Sequence, residues 1–309
     1  MKLLSTIAFL LLTFSAFSQV QIGTDINGEA VGDYSGYPVS LSSDGTILAI
    51  GAIFNAGNGT DAGHVRVYEY SNGTWTQLGS DIDGEAAGDY SGWAVSLSDD
   101  GDVVAIGAPG NAGNGTDAGH VRVYEYSNGT WTQLGSDIDG EAAGDNSGDA
   151  VSLSDDGTVV AISATYNAGN GTGAGHVRVY ELDSNSTWTQ LGSDIDGEAA
   201  GDNSGDAVSL SDDGTVVAIS ATYNAGNGAY AGHVRVYELD SNSTWTQLGS
   251  DIDGEASQDE SGLSVSLSDD GDIVAIGAPN NDGNGSDAGH VRVYEYSNGT
   301  WTQLGSDID

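Results

Sequence analysis

The chain has no cysteine, only three prolines and one lysine in 309 residues, and each scarcity excludes something. Without cysteine there is no disulfide framework, no thiolate nucleophile and no thiolate metal site, so a β-rich chain of this length must be held by its packed core. Six basic side chains face 46 acidic ones. A field of that sign repels nucleic acid and anionic membrane surfaces, which removes nucleic-acid binding from the functions to consider. Beyond the first eighteen residues no apolar run is long enough to cross a bilayer. Helical periodicity is missing as well: apolar residues alternate or come in short runs, never at three- and four-residue spacing.

The first eighteen residues are different in kind. Met1-Lys-Leu-Leu opens an apolar run to Phe14, and Ala16-Phe17-Ser18 supplies small residues ahead of Gln19. This is the pattern of a secretory signal peptide, residues 1–18, and it leaves residues 19–309 as the mature domain of a secreted or cell-surface protein. Cleavage removes Lys2, so Arg66, Arg122, Arg178, Arg235 and Arg292 alone oppose all 46 acids, a net charge of −41.

Repetition is what the mature chain does have. The histidines His64, His120, His176, His233 and His290 are spaced by 56, 56, 57 and 57 residues. Five units of that period point to a propeller or a solenoid, in which one unit cannot bury its apolar face alone. In the second unit Ala94-Val-Ser-Leu alternates, Asp99-Asp-Gly-Asp102 marks a turn, and Val103-Val-Ala-Ile-Gly107 is a buried run. A Gly/Asn-rich loop comes next, then His120-Val-Arg-Val-Tyr-Glu-Tyr126, an Asn128-Gly129 turn and Trp131-Thr-Gln-Leu134. Four short strands per unit predict an all-β fold, a β-propeller of four-stranded antiparallel blades with five blades. A fragment of a seven-bladed propeller is the alternative, and a right-handed β-helix, with its shorter coils, is the rival architecture. Val20–Ile26 is a spare copy of the fourth strand without its tryptophan, and it is expected to complete the last blade and close the ring.

Gly88-Asp-Tyr-Ser-Gly-Trp-Ala-Val-Ser-Leu97, Val104-Ala-Ile-Gly-Ala-Pro109 and Gly119-His-Val-Arg-Val-Tyr124 together resemble the FG-GAP repeat, the blade unit of the integrin α-subunit propeller and of many secreted bacterial proteins. Ser91-Gly92 stands at the Phe-Gly position, and Gly107-Ala-Pro109 and Gly277-Ala-Pro279 match the Gly-Ala-Pro. Phe is missing from every Phe-Gly position, and three units replace Gly-Ala-Pro, with Gly51-Ala-Ile53, Ser163-Ala-Thr165 and Ser220-Ala-Thr222. The resemblance implies a propeller and a role in adhesion. It also implies a calcium loop between the first two strands where the family has one; here that hairpin is only the Asp99–Asp102 turn.

A different segment offers carboxylates to a cation. In the repeated phrase after each tryptophan, Asp81, Asp83, Glu85 and Asp89 stand at positions 1, 3, 5 and 9. The same spacing recurs in Asp137, Asp139, Glu141 and Asp145, in Asp194, Asp196, Glu198 and Asp202, and in Asp251, Asp253, Glu255 and Asp259. Ca²⁺ takes six to eight oxygens, several of them charged, so each set is either a calcium site or a solvated acidic turn between blades. The glycine and glutamate offsets of an EF-hand are not there. The five histidines alternate with arginine and tyrosine on one strand face, away from the valines. Rotational symmetry keeps them apart, which predicts structural roles: arginine paired to a nearby carboxylate, histidine hydrogen-bonded between blades. The tryptophans are likewise expected to pack between blades.

Variation among the units is concentrated. Residues 130–171 and 187–228 are identical, whereas Tyr34, Tyr37, Tyr90, Trp93, Tyr166 and Tyr223 occupy positions that change from unit to unit. In a propeller these flank the inner strand's start and the second strand's end, on one face, which marks them as the expected ligand face. Every candidate catalytic constellation would occur in several copies, so no catalysis is expected. The sequence therefore predicts a secreted, monomeric binding or adhesion module for an extracellular protein or polysaccharide, with calcium its only candidate cofactor. The alternatives are a surface-layer or spacer protein without a ligand, and a lectin-like sugar binder.

Overall fold

A computed structural model describes residues 21–309; the leader expected at residues 1–18 lies outside the described residues. The rest is five antiparallel sheets, one per repeat, each with its strands in chain order from inside to outside. In the second blade these are Ala94–Leu97, Val103–Ala108, His120–Ser127 and Thr130–Gln133. The other four blades begin at Ser35, Val151, Val208 and Ser264. The inner strands of successive blades contact one another, so they gather about a common axis. The fold is the expected all-β propeller of five four-stranded blades.

The sequence pattern explains each strand. The second strand is buried along its whole length in blades two to four and reads as an unbroken apolar run. The third strand presents Val65 and Val67, or their equivalents, to the core. Asn128 and Gly129 both have positive φ, 52° and 85°, the backbone that a two-residue hairpin requires. The repeated phrase forms the outer strand and the crossing to the next blade. Trp131–Gln133 pairs with the end of the third strand, Leu134 donates its N–H to Val123, and Ile138–Asp139 then pairs with His120–Val121 at that strand's start. From there the chain passes to the next blade.

Successive blades share a core. Ala49, Val65 and Val67 of the first pack with Leu97, Val104 and Ile106 of the second, and the same cluster recurs between the second and third, third and fourth, and fourth and fifth. Each tryptophan closes its seam as expected: Trp131 Nε1 donates to Leu78 O of the preceding blade at 2.9 Å, and Trp188, Trp245 and Trp301 repeat the contact.

The expected closure differs. The last blade uses its own outer strand, Thr300–Gln303, and the spare N-terminal copy does not complete it. Instead Ile22 accepts a hydrogen bond from Trp75 of the first blade, where a preceding blade's phrase would lie. The segment lies at the tryptophan of the first seam, held there through the Ile22 carbonyl, rather than at a sheet edge already filled.

Seams are written in glycine. Gly119 has φ +73°, and a Cβ there would stand 2.2 Å from Ser147 O on the next blade. Gly129 has the same sign of φ but open space around it. Gly119→Ala is therefore expected to destabilise the protein by about 3 kcal/mol or more, combining backbone strain with overpacking, and Gly129→Ala by about 1 kcal/mol; denaturant titration of both variants measures the difference.

Candidate functional site

Two arrangements carry chemistry. The first lies on the outer flank of each blade, where the third strand places His120 in the interior, 1% exposed. Its Nδ1 faces Glu85 Oε2 at 4.0 Å and Asp137 Oδ2 at 3.9 Å, beyond hydrogen-bonding range of both. Glu85 comes from the linker that enters the blade and Asp137 from the blade's own phrase. Arg122 lies beside them, its Nη1 3.8 Å from Glu85 and its Nη2 donating to Asp83 O at 2.7 Å, with its guanidinium over the Tyr124 ring. The same triad forms in every blade: Glu29, His64 and Asp81; Glu141, His176 and Asp194; Glu198, His233 and Asp251; Glu255, His290 and Asp307. In each, one ligand atom per residue lies within 4.8 Å of the others, and the group could hold a metal ion. Burial lowers the pKa of His64, His120, His176 and His233 against the pull of the neighbouring acids, so these imidazoles are neutral near pH 7 and have a lone pair to offer.

The sixteen carboxylates expected to act in fours are dispersed by this geometry. Asp81, Asp137, Asp194 and Asp251 belong to the triad of the blade just completed; Glu85, Glu141, Glu198 and Glu255 belong to the triad of the blade about to begin. Asp89, Asp145, Asp202 and Asp259 are buried and hold the linker turn, each accepting a backbone N–H three residues back and an asparagine side chain. Asp83, Asp139, Asp196 and Asp253 give their backbone carbonyls to arginine. Among the described residues, no group of close metal-ligating atoms combines all four acids of one phrase. The expected arginine–carboxylate pair is present; the expected histidine hydrogen bond is not, because the imidazole meets two acids at a distance where neither accepts from it.

The second arrangement is the propeller mouth. Tyr34, Phe54, Tyr90 and Trp93 form a chain of edge-on rings with centroids 5.0, 5.8 and 6.4 Å apart, and Tyr37 joins Trp93 at 5.4 Å. Beyond Trp93 a cleft of about 420 Å³ is lined by Tyr90, Pro109, Asp117, Asn146, Asp149 and Tyr166. An adjoining hollow of about 190 Å³ shares Trp93, Asp149 and Tyr166 and adds Asp206 and Tyr223. All six expected ligand-face residues are thus on one face. Tyr230, against Tyr223 at 5.3 Å, extends that face and was missed; its one signal is that it replaces the Asp61 and Asp117 of earlier units. Asp149 accepts from the Thr165 hydroxyl, and burial pushes its carboxyl up to about 6; Asp206, bonded to Thr222, is raised for the same reason.

At the opposite end of the axis, the inner hairpin turns form a ladder. Ser43 N–H donates to Asp99 O, Asp99 N–H to Asp155 O, Asp155 N–H to Asp212 O and Asp212 N–H to Asp269 O. The aspartates crowd one another there. Partial burial and the Asp212 carboxylate push Asp155 up to about 7.

Residues 81–124 and 251–294 match the FG-GAP repeat, each match running from the phrase to the third-strand tyrosine. Two of the five units thus carry the FG-GAP repeat. The other three units have the same strands and triads. Among solved structures, hydrazine synthase of Kuenenia stuttgartiensis superposes with a TM-score of 0.54 at 15% identity, over 91% of this chain and 69% of that one. A 6-phosphogluconolactonase-like protein of Bacteroides uniformis superposes with a TM-score of 0.53 at 11% identity, over 88% and 85%. At such identities the likeness is one of fold. No curated protein matches the chain in sequence.

The mouth of the propeller has a pH signature. Asp149 takes its proton at about 6 when folded and near 3.8 when not, so the folded state binds more protons in that interval and stability falls as pH rises through it. Asp149→Asn is expected to raise Tm by a few degrees at pH 7.5, with the gain fading as pH falls below about 6 toward 4; calorimetric scans across pH test this.

Proposed function

We propose that this protein is an extracellular binding module that takes a neutral or amino-bearing polysaccharide, or a protein surface of like chemistry, across its aromatic and acidic mouth, with no catalysis. The observation that carries the reading is the cleft bounded by Trp93 and Tyr166 with Asp149 between them. Exposed ring faces stack on the C–H face of a sugar or on a cation, and a carboxylate beside them accepts from hydroxyl or ammonium groups. FG-GAP repeats are in keeping with a binding or structural repeat module outside the cell, and no described helix is long and apolar enough to cross a membrane. Variation concentrated at this mouth and at the outer hairpin, over seams that barely vary, is the pattern of a scaffold that retains its frame while its loops change.

Cations enter as a second component of the proposal. A divalent ion at each Glu–His–Asp triad would tie the linker entering a blade to that blade's outer strand. Calcium, the cation expected from the phrase, prefers oxygen donors alone, whereas an imidazole nitrogen in the set suits manganese or zinc better.

The first test is binding of chitosan oligosaccharides and neutral glucans by the mature protein at high salt. Trp93→Ala with Tyr166→Ala is expected to weaken the tightest of these by about tenfold or more; a protein that binds none of them, or variants that bind equally well, would leave the spacer reading. The second is calorimetric titration of calcium, manganese and zinc into chelator-stripped protein, with Asp81→Asn, Asp83→Asn and Glu85→Gln combined in one variant. Because Asp81 and Glu85 serve different triads, the variant is expected to lose two sites; loss of a single site would return the ion to the phrase itself.

A further inference from the structure

The third and fourth blades lose Gly-Ala-Pro and gain a different construction in its place. Where the other blades have Gly51, Gly107 and Gly277, these have Ser163 and Ser220; where the others have Ile53, Pro109 and Pro279, these have Thr165 and Thr222. All four hydroxyl side chains are buried. The serine oxygens accept the Ala150 and Ala207 N–H at 2.9 Å, and the threonine hydroxyls donate to Asp149 and Asp206. Those aspartates stand where the other blades have Tyr37, Trp93 and Leu263. Ser-Ala-Thr is thus a brace that fixes a carboxylate at the mouth, and it is built twice, one blade apart.

Both carboxylates line the hollow of about 190 Å³, whose rings are Trp93, Tyr166 and Tyr223. Glu260 on the last blade adds negative charge beside Asp206. Among the described residues no basic side chain answers these acids. The five arginines donate to linker carbonyls on the outer flank, and the five histidines face the triad acids there. Burial without a cation disfavours the ionised form, which pushes Asp149 up to about 6 and raises Asp206 as well. Half-buried acids of this kind weaken the fold unless a ligand brings the positive charge. A metal ion is the poorer match. Ca²⁺ takes six to eight oxygens, whereas ring faces offer none and attract weakly hydrated organic cations instead.

We infer that this hollow takes an ammonium group of the polysaccharide, so that the ligand is a polymer of amino sugars rather than a neutral glucan. The assignment rests on the reading of the mouth as a polysaccharide site and adds the charge of the ligand. A regular chain is favoured over a protein surface because brace, carboxylate and ring recur in one frame at the step of one blade, and the ammonium groups of a folded protein have no such period. Binding draws on ionised carboxylates, so it weakens as pH falls through about 6. The acids that face the ligand are Asp149, Asp206, Glu260 and, in the adjoining cleft, Asp117.

The experiment compares glucosamine oligomers with quaternised amines, whose charge does not titrate, with N-acetylated and neutral glucan oligomers of the same length, by calorimetry on the mature protein at high salt. The quaternised oligomer is expected to bind about tenfold tighter than the uncharged ones at pH 7, and to lose about tenfold in affinity between pH 7 and pH 5. Asp149→Asn with Asp206→Asn is expected to abolish the preference. Glu125→Gln with Glu181→Gln removes the same charge from exposed positions on third strands and is expected to leave it in place. Equal binding of charged and uncharged oligomers that still depends on Trp93 and Tyr166 would overturn the inference while the polysaccharide reading stands. A preference lost in the Glu125 and Glu181 variant would overturn it too, by reducing it to net charge. Binding of none of the oligomers, lysine oligomers that bind as tightly as the amino sugar, or calcium uptake that vanishes with Asp149 and Asp206 would each do the same.

Discussion

Backbone meets backbone at each seam of this propeller, and that approach constrains almost everything else in the chain. A Cβ at Gly107 would lie 2.0 Å from the carbonyl of Gly148 on the next blade, and one at Gly84 would lie 2.1 Å from that of Ala62. Only hydrogen fits at such points, so glycine is dictated by steric exclusion at both and by backbone conformation at Gly119 and its equivalents. Close approach then brings Leu97 N–H onto Ser40 and Trp131 onto Leu78, and it seals the valine and isoleucine layer between sheets from water. Both halves of the seam are written in every unit, the leading face and the trailing one, so a change on either side must suit its copies elsewhere. That accounts for seams nearly invariant through the chain while mouth positions change between most blades.

Charge is managed by the same device. Five arginines oppose 46 acids, and none of the five is spent on a free surface pair. Arg122 is buried, donating to the carbonyl of Asp83, lying against Glu85 and stacking on Tyr124; Arg66, Arg178 and Arg292 are placed likewise, and Arg235 shares the carbonyl and the ring. Each holds the incoming linker against the third strand, beside a histidine facing two acids. A buried guanidinium with a carbonyl, a carboxylate and a ring around it is a strong local tie. Most of the acids stay in solvent, where they confer solubility and repel polyanions without straining the core.

Strands, blade number and the tryptophan seams were legible because they depend on alternation, turn residues and period, all local or repeating quantities. The carboxylates were not. Positions 1, 3, 5 and 9 suggest a loop curling on one ion, but Asp81–Glu85 spans an extended crossing from one blade toward the next, and four residues of extended chain reach about 13 Å. Their proper partners, His64 and His120, lie 17 and 35 residues away in sequence, on third strands of different blades. Nothing in the spacing of the phrase reports that. The histidine was read as hydrogen-bonded for a related reason, since strand alternation gives the side on which a side chain lies and not its distance from acids of two other segments. Closure failed because Val20–Ile26 matches the fourth strand in pattern but lacks the tryptophan, and the tryptophan, not the strand, decides which seam the segment joins.

The mouth shows the opposite balance. Its residues were marked by their variability, and the structure adds what variability does not contain: Trp93 stands between two hollows and touches both, so the proposed ligand, spanning blades two to four, would pass over one ring. The identical stretches 130–171 and 187–228 place Asp149 and Tyr166 in the same frame as Asp206 and Tyr223, which repeats one carboxylate-and-ring pair at the angular step of a blade. A polymer with a repeating unit is the ligand class that gains from such a repeat, because a second subsite at fixed spacing turns the second contact into an intramolecular one. A single small ligand would gain nothing from the copy. Duplication that leaves seams intact and multiplies subsites therefore favours extended, repetitive ligands over compact ones.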